Sequence, residues 1–146
     1  MTGTTNELVT LRVLLPICHI RELQRVTARR RRGKWGVTLT SCVRLIHRLD
    51  EDLRGGSRIW LGGQPIELDY SIPSASGGCG YLKCVIDDQT RTKLDQIKLR
   101  IDITRDSRAI AWIIARALPL LEAIDAGAKM TAQQSDGTSF ELVFYY

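Results

Sequence analysis

The sequence has no run of about 18 apolar residues, the length a membrane-spanning helix needs, because Arg, Asp or Gly interrupts every candidate. Its opening stretch, Met1 to Glu7, lacks a basic segment leading into an apolar one, so no secretion signal is read and a reducing cytosol is the expected setting. Cysteine is sparse. Cys18, Cys42, Cys79 and Cys84 lack the spacing of a disulfide framework and sit inside apolar patterns, which fits small buried hydrophobes. Neither His19 nor His47 stands at ligand spacing from Cys79 and Cys84, so no metal site is expected. Also missing are a Ser/His/Asp order, a phosphate-binding glycine loop and carboxylates paired for acid/base work. Asp87-Asp88 reads as a helix cap and Asp50-Glu51-Asp52 as a solvated helix end. Neither an enzyme activity nor a cofactor is therefore expected. Aromatics are few, and Trp35, Trp60 and Trp112 are most simply fillers of a core or an interface.

What is present is positive charge in one place. Residues 1–56 carry 11 basic and 5 acidic side chains, whereas residues 57–146 carry 10 and 11, so the net +5 of the 146-residue chain belongs to its first part. Its centre is the run Arg29-Arg30-Arg31-Arg32-Gly33-Lys34, dense enough to displace counterions from a polyanion. A solvated helix end would carry such a run equally well, since cations favour helix C-termini.

The chain also reads twice. An alternating segment, Leu8 to Leu15, meets Pro16 and passes into a helical stretch reaching about Arg32. After a break at Gly33 to Gly36, a second helical stretch runs from Thr38 to about Leu53, followed by a hairpin, Arg58 to Leu61 and Pro65 to Tyr70, turning on Gly62-Gly63. From Gly80 the order returns. Tyr81 to Ile86 alternates, Leu94, Ile97 and Ile101 mark one helix, and Thr104 opens another with Ile110, Ile113, Ile114, Ala117 and Leu121 on one face. Pro119 should kink or restart that helix. The tail from Lys129 to Tyr145 again reads strand, turn, strand. Matching the first helices uses an offset of 71 residues and matching the second helices uses 67, which implies about four extra residues at the Arg-rich run of the first copy. The reading is an α+β chain built from a tandem duplicated β-α-α-β-β unit: residues 7–70, a linker at 71–79, and residues 80–146.

A lone strand followed by two helices buries little surface, but two copies can pair their strands and interlock their helices. At Thr10 to Pro16, Tyr81 to Asp87, Val37 to Ile46 and Ile103 to Trp112, the chain resembles the ribbon-helix-helix family of DNA-binding proteins. The likeness is to the tandem, single-chain form found among accessory proteins of conjugative and T-DNA processing. It implies a single-chain ribbon-helix-helix pseudo-dimer with added hairpins, a monomer free to associate further, working on double-stranded DNA in the bacterial cytoplasm near the nucleoid. Other DNA-processing proteins are possible partners, and no membrane is involved.

That resemblance assigns roles by position. With Val9, Leu11, Val13 and Leu15 turned inward, Thr10, Arg12 and Leu14 face DNA bases, as do Tyr81, Lys83 and Val85 from the second copy. Leu14 and Val85 depart from the family's usual polar readers. Phosphates would be met by Arg29, Arg30, Arg31, Arg32 and Lys34 and by the helix entrances, at Thr38, Thr40 and Ser41 in one copy and Thr104, Arg105, Ser107 and Arg108 in the other. Asp102 and Asp106 make the second entrance less positive, so asymmetric binding is expected. A repressor or antitoxin of the same fold is the alternative role. The competing class is a protein-interaction module docking through Ile59, Trp60, Leu61, Phe140, Val143, Phe144 and Tyr145.

Overall fold

Strand β1 (Leu8–Pro16) alternates exposed and buried residues until Pro16, which has no N–H to donate and hands the chain to α1 (Ile17–Arg30). Helix α2 (Trp35–Arg54) follows and ends at Gly55 and Gly56, the latter at φ +92°. Strand β2 (Arg58–Leu61) turns on Gly62 and Gly63, both at positive φ as a tight hairpin requires, into β3 (Gln64–Pro65). The same order then recurs as β4 (Cys79–Asp87), α3 (Asp88–Ile101), α4 (Asp106–Asp125), β5 (Met130–Gln133) and β6 (Ser139–Leu142). Asp87 caps α3 by accepting the Thr90 N–H at 2.7 Å. The computed structural model that gives this order describes residues 7–30, 34–71 and 77–143.

The elements form a mixed α+β fold of four helices and two small antiparallel sheets. In the first sheet β1 pairs with β4 alone, Arg12 directly opposite Lys83. In the second the two hairpins join through β2 and β5, Ile59 opposite Ala132, giving the order β3-β2-β5-β6. The inner face of the first sheet, with Val13, Leu15, Leu82 and Ile86, lies in one apolar cluster with residues of all four helices, among them Leu23, Ile46, Leu94 and Ile110. Each half alone would expose its part of that cluster, so residues 7–70 and 80–143 share a core. Trp112 is fully buried in it. No helix of the described residues is long and apolar enough to cross a membrane.

Three expectations are corrected. The starts of β1 and β4, of α1 and α3, and of α2 and α4 are each 71 residues apart. There is no four-residue insertion at the arginine run. A slip of four residues is close to one helical turn, so it keeps the apolar stripe in phase and is invisible to hydrophobic matching. Second, α2 begins at Trp35 rather than Thr38, and α4 at Asp106 rather than Thr104. Third, of the expected strand 65–70 only Pro65 lies in β3, which pairs Gln64 and Pro65 with β2, and the Ile66 N–H still donates to the Ile59 carbonyl at 2.8 Å. Beyond them the backbone is captured by α4, since Trp112 Nε1 and Arg116 Nε donate to the Asp69 carbonyl at 3.0 and 2.7 Å. Tyr70 stacks on Trp112 and donates to the buried Asp50 carboxylate at 2.8 Å. Pro119 lies inside α4 without ending it, its side chain exposed.

Candidate nucleic-acid interface

Strand alternation builds the outer face of the two-stranded sheet. In β1, Thr10, Arg12 and Leu14 are exposed while Leu11, Val13 and Leu15 are buried, and in β4 Tyr81, Lys83 and Val85 are exposed while Leu82, Cys84 and Ile86 are buried. The antiparallel register sets the outer residues in pairs: Thr10 with Val85, Arg12 with Lys83, Leu14 with Tyr81. All six side chains placed at bases by the sequence reading thus share one surface. It is apolar as well as basic, with Leu8 74%, Tyr81 66%, Val85 44% and Leu14 43% exposed.

Like charges directly opposite one another destabilise a strand pair. Arg12 and Lys83 nevertheless sit at the centre of the ribbon, and among the described residues neither has an acidic partner. The Arg12 guanidinium instead lies over the Tyr81 ring, its Cζ 4.8 Å from the centroid.

Two helix entrances flank this face. At α2 the N-cap is Lys34, exposed and without a side-chain cap, and the first turn holds no acid. Gly36 lets the helix approach β4, since a Cβ there would collide with the Val85 carbonyl oxygen. The approach leaves a groove of about 590 Å³ whose lining includes Lys34, Trp35, Lys83 and Val85. At α4 the N-cap is Arg105, also without a side-chain cap, and Thr104, Arg105 and Arg108 are exposed. Ser107 is occupied, its Oγ accepting the Leu14 N–H at 2.9 Å and so tying α4 to the free edge of β1. Asp106 takes Arg91 at 2.7 Å and Lys98 at 2.7 Å. Burial alone would raise its carboxyl pKa, but hydrogen bonds from those two cations outweigh it and hold the group below its ordinary value.

Several residues expected at phosphates are turned elsewhere. Thr38 is fully buried, its hydroxyl hydrogen-bonded to that of Thr27 at 2.7 Å, and buried Ser41 donates to the Val37 carbonyl at 3.2 Å. Because α2 starts a turn earlier than expected, both fall on its packed face rather than at its entrance. Arg30 keeps only 6% of its side chain exposed and pairs with Asp125 at 3.1 Å. Arg29 reaches Glu122 at 3.1 Å, beside Arg25 at 2.6 Å. The end of α1 packs along the last turns of α4, whose acids draw these cations away from the ribbon face. Arg31 and Arg32 lie outside the described residues. Thr40 is half-buried in a smaller groove beside Val85 and Asp87.

Two residues of this candidate surface were not read from the sequence. Gly36 was hidden inside an apparent helix break. Arg44 lines the smaller groove and lies 3.5 Å from Asp87; its spacing of four from Thr40, one turn along the same helical face, was the available signal. No family model matches the chain, and no curated protein or solved structure matches it.

Proposed function

We propose that this chain is a single-chain ribbon-helix-helix pseudo-dimer, built from two copies of a β-α-α-β-β unit, that binds duplex DNA with sequence preference by laying the β1/β4 ribbon in the major groove. The observation that carries the reading is the pair Arg12 and Lys83, opposed at the centre of an exposed ribbon and without acidic partners among the described residues. Holding two cations there disfavours the isolated ribbon, and a polyanion with guanine acceptors relieves it. A two-stranded ribbon fits the major groove of B-DNA, and the apolar Leu14 and Val85 suit thymine methyl groups. Phosphates are met by Lys34 and the backbone N–H groups of the α2 entrance on one side, and by Thr104, Arg105 and Arg108 on the other. Conjugative or T-DNA processing is the first biological role to examine, and a repressor or antitoxin would use the same chemistry.

Docking of a partner protein through the hairpins has less support. Ile59 and Leu142 are buried, Trp60, Leu61 and Phe140 are half-buried, and Phe144 and Tyr145 lie outside the described residues. Val143 remains exposed.

Competition between duplexes of different sequence tests the proposal. Arg12→Ala with Lys83→Ala is expected to flatten discrimination by roughly 1–3 kcal/mol for each lost base contact. Lys34→Ala should instead weaken all duplexes alike and lower the salt slope by about 1. Discrimination retained in the ribbon double variant removes base readout from this face.

A further inference from the structure

The constant 71-residue spacing gives each outer ribbon residue a counterpart: Thr10 with Tyr81, Arg12 with Lys83, Leu14 with Val85. Since Arg12 lies opposite Lys83, the ribbon has two equivalent diagonals through its centre, one from Arg12 to Tyr81 and one from Lys83 to Thr10. Their chemistry differs. On the first diagonal a planar guanidinium lies 4.8 Å above an aromatic ring. On the second an ammonium on a flexible stem neighbours a threonine, which offers no ring.

We infer that Tyr81 is a specificity-determining positioning residue, its ring holding the Arg12 guanidinium in a fixed plane so that one half of the DNA site is read strictly and the other loosely. The inference rests on the proposed duplex-DNA reading. A cation over a ring uses the ring's face and leaves the guanidinium edge, with its forked N–H donors, free for the O6 and N7 acceptors of guanine. A guanidinium already stacked also loses less rotamer freedom when that contact forms. Lys83 has none of this preparation. Its ammonium is a compact, strongly hydrated charge with rotating donors, suited to acceptors in several arrangements. The entrances beside the ribbon differ in the same sense, with Lys34, Trp35 and Gly36 standing where the other half has Arg105, Asp106 and Ser107. The target is therefore a non-palindromic duplex, bound in one orientation, with a guanine step under Arg12 as its most constrained position.

The test is selection from a randomised duplex library, then competition titrations of the selected duplex against single-position variants. These use the wild-type chain, Tyr81→Ala, Tyr81→Phe and Arg12→Ala. Tyr81 is exposed, and a thermal melt of each variant checks that the fold is retained. The wild type is expected to discriminate at one guanine position by about 5- to 150-fold, with weaker preference in the other half. Tyr81→Ala should reduce that discrimination about 2- to 5-fold, and because it removes no charge the salt slope, which counts phosphate contacts, should not report the loss. Tyr81→Phe, which keeps the ring, should retain it. A symmetric selected site, full discrimination in Tyr81→Ala, or equal loss in Tyr81→Phe each overturns the inference, the last because the hydroxyl would then be the acting group. The two levels separate through Arg12→Ala. If it flattens discrimination while Tyr81→Ala does not, only the positioning role fails; if it leaves discrimination intact, base readout by the ribbon fails with it.

Discussion

At the scale of single residues, the legible part was the face each ribbon side chain takes. A strand has period two, so once Leu11, Val13, Leu82 and Cys84 are read as inward, Thr10, Arg12, Tyr81 and Lys83 follow as outward, and the burial pattern agrees. Hydroxyls at helix starts were less legible. Thr38 and Ser41 resemble caps in composition, yet a hydroxyl can equally bond back along its own helix, as Ser41 does to Val37, or across to a neighbouring helix, as Thr38 does with Thr27. The arginine run was legible as charge but not as direction, because the acids that claim Arg29 and Arg30 lie more than 90 residues later, at Glu122 and Asp125. Gly36 gives the sharpest prediction at this scale. Gly36→Ala should destabilise the fold by about 1–3 kcal/mol in urea unfolding, because the added methyl meets rigid backbone at Val85 rather than a side chain that can turn away. Gly63→Ala makes a useful contrast: nothing stands within 4 Å of its added Cβ, so its cost should come from the positive φ of +83° alone.

At the scale of elements, the order of strands and helices was readable from periodicity and glycine breaks, and their starts were not. The slip of one turn in matching the second helices arose because a helix shows the same apolar face every four residues or so. What fixes α2 is a long-range contact, the seating of Gly36 on β4, and nothing near Thr38 announces it. The same holds for the segment after β3, where Trp112 and Arg116 take the Asp69 carbonyl. The junction between α3 and α4 yields a pH prediction. The carboxyl pKa of Asp106 is lowered from 3.8 in the fold, so its contribution to stability is present above about pH 4, its ordinary range, and is lost as pH falls through the lowered folded value. Asp87, lowered chiefly by its hydrogen bond with Thr90, acts in the same direction. Asp106→Asn should therefore lower the melting temperature at pH 7 and make the loss of stability between pH 4 and lower values shallower. An unchanged acid limb would show that Arg91 and Lys98 contribute nothing through this carboxylate.

At the scale of the whole molecule, the two halves complete each other in both sheets: β1 needs β4, and β2 needs β5. That interdependence predicts one cooperative unfolding transition, with tryptophan fluorescence and far-ultraviolet circular dichroism giving the same midpoint in urea. Separate midpoints would mean that residues 7–70 and 80–143 hold together independently. Whole-molecule charge supports the functional reading less simply than composition suggested. Part of the positive excess is spent inside the fold, on Glu122, Asp125 and Asp50, while cations facing solvent at the ribbon include Arg12 and Lys83, with Lys34 at one neighbouring entrance and Arg105 and Arg108 at the other. The most direct measurement of the central claim is fluorescence-anisotropy binding of the intact chain to a random-sequence duplex across a salt series. The account predicts binding at low salt that falls linearly in log–log form, with a slope reflecting several phosphate contacts. No binding at low salt, or binding insensitive to salt, contradicts a duplex-DNA-binding ribbon.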